Sequence, residues 1–191
     1  MKLLVPLVLT LATAASASAA PGQYAIDPDH THPSFEVDHM GGRSVWRGLF
    51  KTTTGHITLD RAAGTGTVQV AIDVASIDFA HDELAAHVSG PDMLDVAKYP
   101  TASYKGTLGA FRNGAPTTVR GELTLHGITK PVALRIVSFK CEPHPQLKRE
   151  VCGADAVGTF NRSNFGVSYG QDYGFKQDVA LRIQVEAIKT D

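Results

Sequence analysis

Thr67-Val-Gln-Val-Ala-Ile-Asp-Val74 alternates a small or polar side chain with an apolar one along its whole length. A period of two puts Val68, Val70, Ile72 and Val74 on one face of an extended strand, and Thr67, Gln69, Ala71 and Asp73 on the other. Val179, Leu181, Ile183, Val185 and Ala187 repeat the pattern near the C-terminus. Similar stretches run over 34–40, 45–59, 101–108, 117–125, 131–139 and 154–162, separated by turn pairs such as Asn113-Gly114 and His126-Gly127. Together they make about eight strands, most joined closely enough to be antiparallel neighbours. The exception lies between Ser76 and Pro100, where Leu84 and Val88 sit four apart and Asp78 or Ser76 is the expected cap of a short helix; a second turn is expected at Met93 and Leu94.

Strands that are apolar on one face must cover that face. With one short helix available, closing the sheet on itself removes the exposed edges. The expected fold is therefore all-β: an eight-stranded antiparallel barrel with a short helical insertion. Such a barrel is just wide enough to be filled by side chains or to hold one small ligand. Ala, Val, Gly and Thr are common on the strands and Trp46 is the sole Trp, so a slim inward set with spare volume is expected.

The chain has 191 residues, 43% hydrophobic and 19% charged, with a net charge of −1. That length suits one domain, and the near-neutral balance gives no electrostatic handle for nucleic acid. Residues 1–19 read as a secretory signal peptide: Lys2, an apolar run from Leu3 to Leu11, then a tail of small residues with Ala17 and Ala19 at the cleavage positions. The run is too short to span a bilayer, which takes ~20 apolar residues, and no permanent membrane anchor is expected. Residues 20–191 are then the exported barrel domain. Cys141 and Cys152, the only cysteines, flank a polar, Pro-containing stretch; in an oxidising compartment they read as one disulfide at the base of a loop.

The opening Tyr24-Ala-Ile-Asp-Pro-Asp-His-Thr-His-Pro-Ser-Phe-Glu-Val-Asp-His-Met-Gly-Gly42, Gly48-Leu-Phe50, the insertion around His87 to Pro100, Gly121-Glu-Leu-Thr-Leu-His-Gly-Ile-Thr-Lys-Pro-Val132 and Asn161-Arg-Ser-Asn-Phe-Gly-Val167 resemble, in order and spacing, the YceI-like family of polyisoprenoid-binding, lipocalin-like periplasmic proteins. The resemblance implies an elongated barrel whose long apolar pocket takes an isoprenoid quinone, a polyprenyl lipid or a fatty-acid derivative, with no cofactor. Ala85, Val88 and Met93-Leu94 depart from the family pattern, all in the insertion. The expected pocket lining is Phe35, Val37, Phe50, Val70, Ile72, Leu94, Tyr99, Phe160 and Phe165.

Specific residues bear on other functions. Gly166-Val-Ser-Tyr-Gly170 fits the G-x-S-x-G pattern of a nucleophile elbow, but that motif works between a strand and a helix of an α/β sheet; here it leads through a Gly-containing loop to a strand, and no catalytic residue is expected. His30 and His32, with Asp27, Asp29 and His39 nearby, are candidate metal ligands, and a metal-binding protein is the alternative class; no third ligand is fixed by spacing, so no metal site is assigned. A stress-related scaffold acting through partners, and a homodimer through a strand edge or apolar patch, are further expectations the sequence does not localise.

Overall fold

In the computed structural model, which describes residues 20–191, the alternating segments make a single antiparallel sheet; the leader read over residues 1–19 lies outside the described residues. The strands are β1 (Gly22–Ile26), β2 (His32–His39), β3 (Ser44–Phe50), β4 (Thr53–Asp60), β5 (Thr65–Asp73), β6 (Ile77–Asp78), β7 (Thr101–Gly109), β8 (Thr118–Leu125), β9 (Ile128–Pro143), β10 (Glu150–Asn161) and β11 (Asp178–Lys189), with one α-helix, α1 (Asp82–Ser89). The order β1-β4-β5-β7-β8-β9-β10-β11 closes through a β1–β11 pairing, giving the eight-stranded barrel. A branch β11-β2-β3-β6 continues the wall upward. Closure removes both edges of the eight-stranded sheet; the branch ends on β3, of which the two-residue β6 covers only Leu49 and Phe50.

The branch arises because two long strands are each bent once. β1 and β2 both run along β11, Ile26 opposite Ala187 and His32 opposite Gln184. Between them Asp27-Pro28 breaks the ladder, and the Thr31 hydroxyl takes over, donating to Glu186 O and accepting from Glu186 N, each at 3.1 Å. The expected single strand over 45–59 likewise splits at Lys51-Thr52, whose amides turn to Ser76. A third irregularity, a register shift opposite Asp155 and Ala156, sits in β9. Each break switches which residues face inward: Trp46 and Phe50 before Lys51, but Ile57 and Leu59 after it. Two-residue periodicity therefore holds within each segment and changes phase between them.

The chain runs up and down, so the β2–β3 hairpin, the 74–100 insertion, the β8–β9 turn and the 162–177 loop gather at one end. Helix α1 lies in that insertion, but its cap is His81, whose Nδ1 accepts from Leu84 N at 3.2 Å. The expected caps are engaged elsewhere: Asp78 pairs with Leu49 in the sheet, accepts from Ala80 N and bridges to Lys51 at 3.2 Å, and Ser76 closes a 3-10 turn over Val74–Ser76. Cys141 and Cys152 are direct partners on β9 and β10 and form the expected disulfide, with an S–S distance of 2.01 Å.

Candidate functional site

The inward phases of the strands enclose a cavity of about 440 Å³, inside the ~300–1,000 Å³ range of small-molecule sites. β2 contributes Phe35 and Val37, β3 Trp46 and Phe50, β5 Val68, Val70 and Ile72, and β11 Val179, Leu181 and Ile183. Phe79, Leu84, Val88, Met93 and Leu94 of the insertion complete the wall where it has no strand.

The inward set is richer in aromatic rings than the composition suggests, and glycines make this work. A Cβ on Gly48 would lie 2.6 Å from Phe35 Cζ and 2.8 Å from Phe79 Cε1; the bare backbone lets Phe35 nest against Phe50 and Phe79, with ring centroids 5.6 Å apart in each pair. A Cβ on Gly121 would lie 2.5 Å from Tyr104 Cζ. There the Tyr104 ring lies along the wall and its hydroxyl donates to Val132 O at 2.8 Å. Burial pushes the Tyr104 phenol up to about 12.

The cavity is closed at one end and open at the other. At the closed end Tyr24, Leu59, Leu108, Cys152 and Ala187 are buried. Tyr24 donates to Glu150 Oε1 at 2.5 Å, and Glu150 Oε2 accepts from Arg61 at 2.9 Å; burial, reinforced by the Glu150 carboxylate, pushes the Tyr24 phenol up to about 12. At the insertion end, His87 and Tyr169 line the cavity yet are exposed. Here His39 touches Trp46 and Phe175, at 6.0 and 5.6 Å between centroids, and His87 touches Tyr169 at 4.8 Å. Arg162 also faces the cavity at this end.

Of the residues expected to line the pocket, Phe35, Val37, Phe50, Val70, Ile72, Leu94 and Phe160 do so. Tyr99 and Phe165 do not. Tyr99 leaves the wall to pin the insertion to the β8–β9 turn: its ring meets His126 at 4.4 Å, lies over Gly127, and carries Lys98 on its face. Phe165 is 1% exposed, edge-on to Phe160 at 5.2 Å, with its carbonyl accepting from His126 Nδ1 at 3.1 Å. It backs the wall that Phe160 faces. Tyr24, Phe79, Tyr104 and Arg162 also line the cavity, outside the expected set.

The elbow-like Gly166–Gly170 lies in the loop between the antiparallel β10 and β11, with Ser168 exposed, not between a strand and a helix. In the histidine cluster, exposed His30 pairs with Asp27 at 2.8 Å, and His39 turns to the aromatic mouth. Among the described residues no three His, Cys, Asp or Glu side chains come together as a metal-binding group.

Residues 24–187 match the YceI-like domain. The chain belongs to the YceI-like family. It is 32% identical over 186 residues to a UPF0312 protein of Pseudomonas putida (strain W619), spanning 96% of this chain and 95% of that one. Among solved structures, Burkholderia cenocepacia BcnA superposes with a TM-score of 0.67 at 23% identity, covering 84% of this chain and 98% of that one. A polyisoprenoid binding domain from Saccharophagus degradans, implicated in plant cell wall breakdown, superposes at 0.59 with 13% identity, covering 87% and 98%. At these identities the likeness is one of fold.

Proposed function

We propose that this protein is a periplasmic carrier that sequesters, stores or transports a long-chain apolar molecule inside its barrel and performs no chemistry of its own. The ligand classes are an isoprenoid quinone, a polyprenyl lipid or a fatty-acid derivative. The cavity carries the reading: it is apolar along its length, closed by the Tyr24 end and open at the Trp46–Tyr169 end. Burying a methylene is worth ~0.8 kcal/mol, so a chain of about 20 carbons gains ~16 kcal/mol before it is ordered. At the ~0.3 kcal/mol per heavy atom usual for larger ligands, the net is about 6 kcal/mol, a Kd of tens of micromolar. The naming of the Saccharophagus degradans domain for polyisoprenoid binding supports the ligand class. The leader-like residues 1–19 and the Cys141–Cys152 bond support the compartment, because disulfides persist in oxidising surroundings.

Trp46 is the only Trp and sits at the mouth, so its fluorescence reports filling. Titration with straight-chain alcohols of about 10 to about 20 carbons is expected to show affinity rising with length until the chain reaches the closed end. A protein whose Trp46 emission ignores every chain, and which retains none through gel filtration, contradicts the carrier reading.

A further inference from the structure

We propose that Arg162 is the head-group anchor of the cavity, selecting ligands whose apolar chain ends in an oxyanion, a carboxylate or a phosphate. This rests on the carrier reading above and names the ligand's polar end.

β10 ends at Asn161 after turning Ala156 and Phe160 inward, and Arg162 continues that phase one step beyond, at the open end of the cavity. A chain entering tail-first, with its end toward Tyr24, leaves its head beside this guanidinium.

The Arg162 guanidinium has only neutral partners. Nη1 donates to Val167 O at 2.9 Å and Nη2 to Tyr169 O at 2.7 Å; both acceptors are neutral carbonyls. None of the ion pairs among the described residues includes Arg162. The other formally charged side chain on the cavity wall, Asp38, spends its Oδ2 on the amides of Gly41 and Lys176, at 2.9 and 3.1 Å. A guanidinium has five N–H donors in a planar fork, so these two carbonyls leave it donors to spare and no counter-charge.

Energetics decide the ligand class. A half-buried cation is costly unless a charge pairs with it, and burial already depresses the Arg162 pKa from its ordinary value, though an arginine stays charged. A hydroxyl or a quinone carbonyl supplies an acceptor but no charge; a carboxylate or phosphate supplies both and matches the fork. If Arg162 served only to hold the 162–169 turn, its two carbonyl contacts would suffice and ligand charge would be irrelevant.

The test compares palmitic acid, its matched alcohol and its matched alkyl monophosphate at neutral pH and low salt, read by Trp46 fluorescence. Wild type is expected to bind one or both anions roughly tenfold to a hundredfold more tightly than the alcohol, the span of a hydrogen bond to a charged group. The carboxylate and phosphate arms tell which head is preferred. In R162Q the ratio of anion to alcohol affinity is expected to fall to near one whatever the absolute affinities, and R162K is expected to keep part of it. Equal binding of all three ligands by wild type overturns the proposal and leaves the carrier reading standing, as does a preference that survives in folded R162Q. Failure of all three to bind overturns both. Should R162Q not fold, the wild-type comparison and its loss of preference at high salt, expected for a charge-based anchor, decide the matter.

Discussion

Gly48→Ala is the smallest change that asks whether the cavity wall is built as described. The added Cβ would stand 2.6 Å from Phe35 Cζ and 2.8 Å from Phe79 Cε1, where 3.4 Å is the near limit of ordinary contact. The rings must therefore give by about 0.8 Å for Phe35 and 0.6 Å for Phe79. Overpacking a tight core costs ~1–3 kcal/mol, but these rings border open volume and can swing into it, so the lower end applies, about 1 kcal/mol. For a domain of this size that is a loss of roughly 2–4 °C in Tm. Binding pays separately: if the displaced rings exclude one methylene of ligand, ~0.8 kcal/mol of transfer energy goes, about a fourfold rise in Kd. Thermal unfolding and Trp46 titration with a long-chain alcohol measure the two effects. Placing Gly48→Ala in a Phe35→Ala background is expected to shrink both, because the nearest clash is gone. Unchanged Tm and unchanged Kd in Gly48→Ala would refute the packing described for this wall.

Replacing Cys141 and Cys152 with Ser removes a cross-link between residues 11 apart. The chain-entropy relation gives about 3 kcal/mol for so short a loop, seen as a Tm lowered by roughly 6–12 °C and matched by wild type under reductant. His30 is raised above its ordinary pKa by its hydrogen bond to Asp27, and Asp27 is lowered by its bond to His30. The His30 contribution is full below the unfolded histidine value and fades as pH rises through the raised one; the Asp27 contribution is full above the unfolded carboxylate value and fades as pH falls through the lowered one. The pair therefore stabilises most between about pH 4 and 6.5. NMR titration of His30 is expected to fall back toward ~6.5 in Asp27→Asn. Ultraviolet titration is expected to show Tyr24 and Tyr104 ionising late, near about 12, and Glu150→Gln to bring Tyr24 down while leaving Tyr104 in place.

The barrel was legible because each strand faces water on one side, so apolar residues had to recur at every second position. The phase changes were written there too: Trp46 and Phe50 fall on even positions, Ile57 and Leu59 on odd ones, and no unbroken strand can turn all four inward. β1 was harder to see, since Gly22–Ile26 is short and its partners, β4 and β11, are distant in sequence. His81 displaced better-suited caps because Asp78 was already committed to Lys51, Ala80 and the sheet, a tertiary demand that local propensity does not carry. Phe160 and Phe165 look alike in sequence; only the 3-10 turn over Arg162–Phe165 puts one ring in the cavity and the other behind it. That same turn holds Arg162 at the mouth, where spacing alone gave no reason to look.

On the proposed function, the barrel interior holds a long apolar chain. Protein purified without detergent from the envelope of its own cell, extracted into organic solvent and analysed by mass spectrometry, tests it most directly. A long-chain molecule at about one per chain is expected, recovered in lower yield when a bulkier inward residue fills the cavity. A protein that yields no such molecule and, once emptied, takes up neither polyprenyl lipids, quinones nor long-chain acids would contradict it.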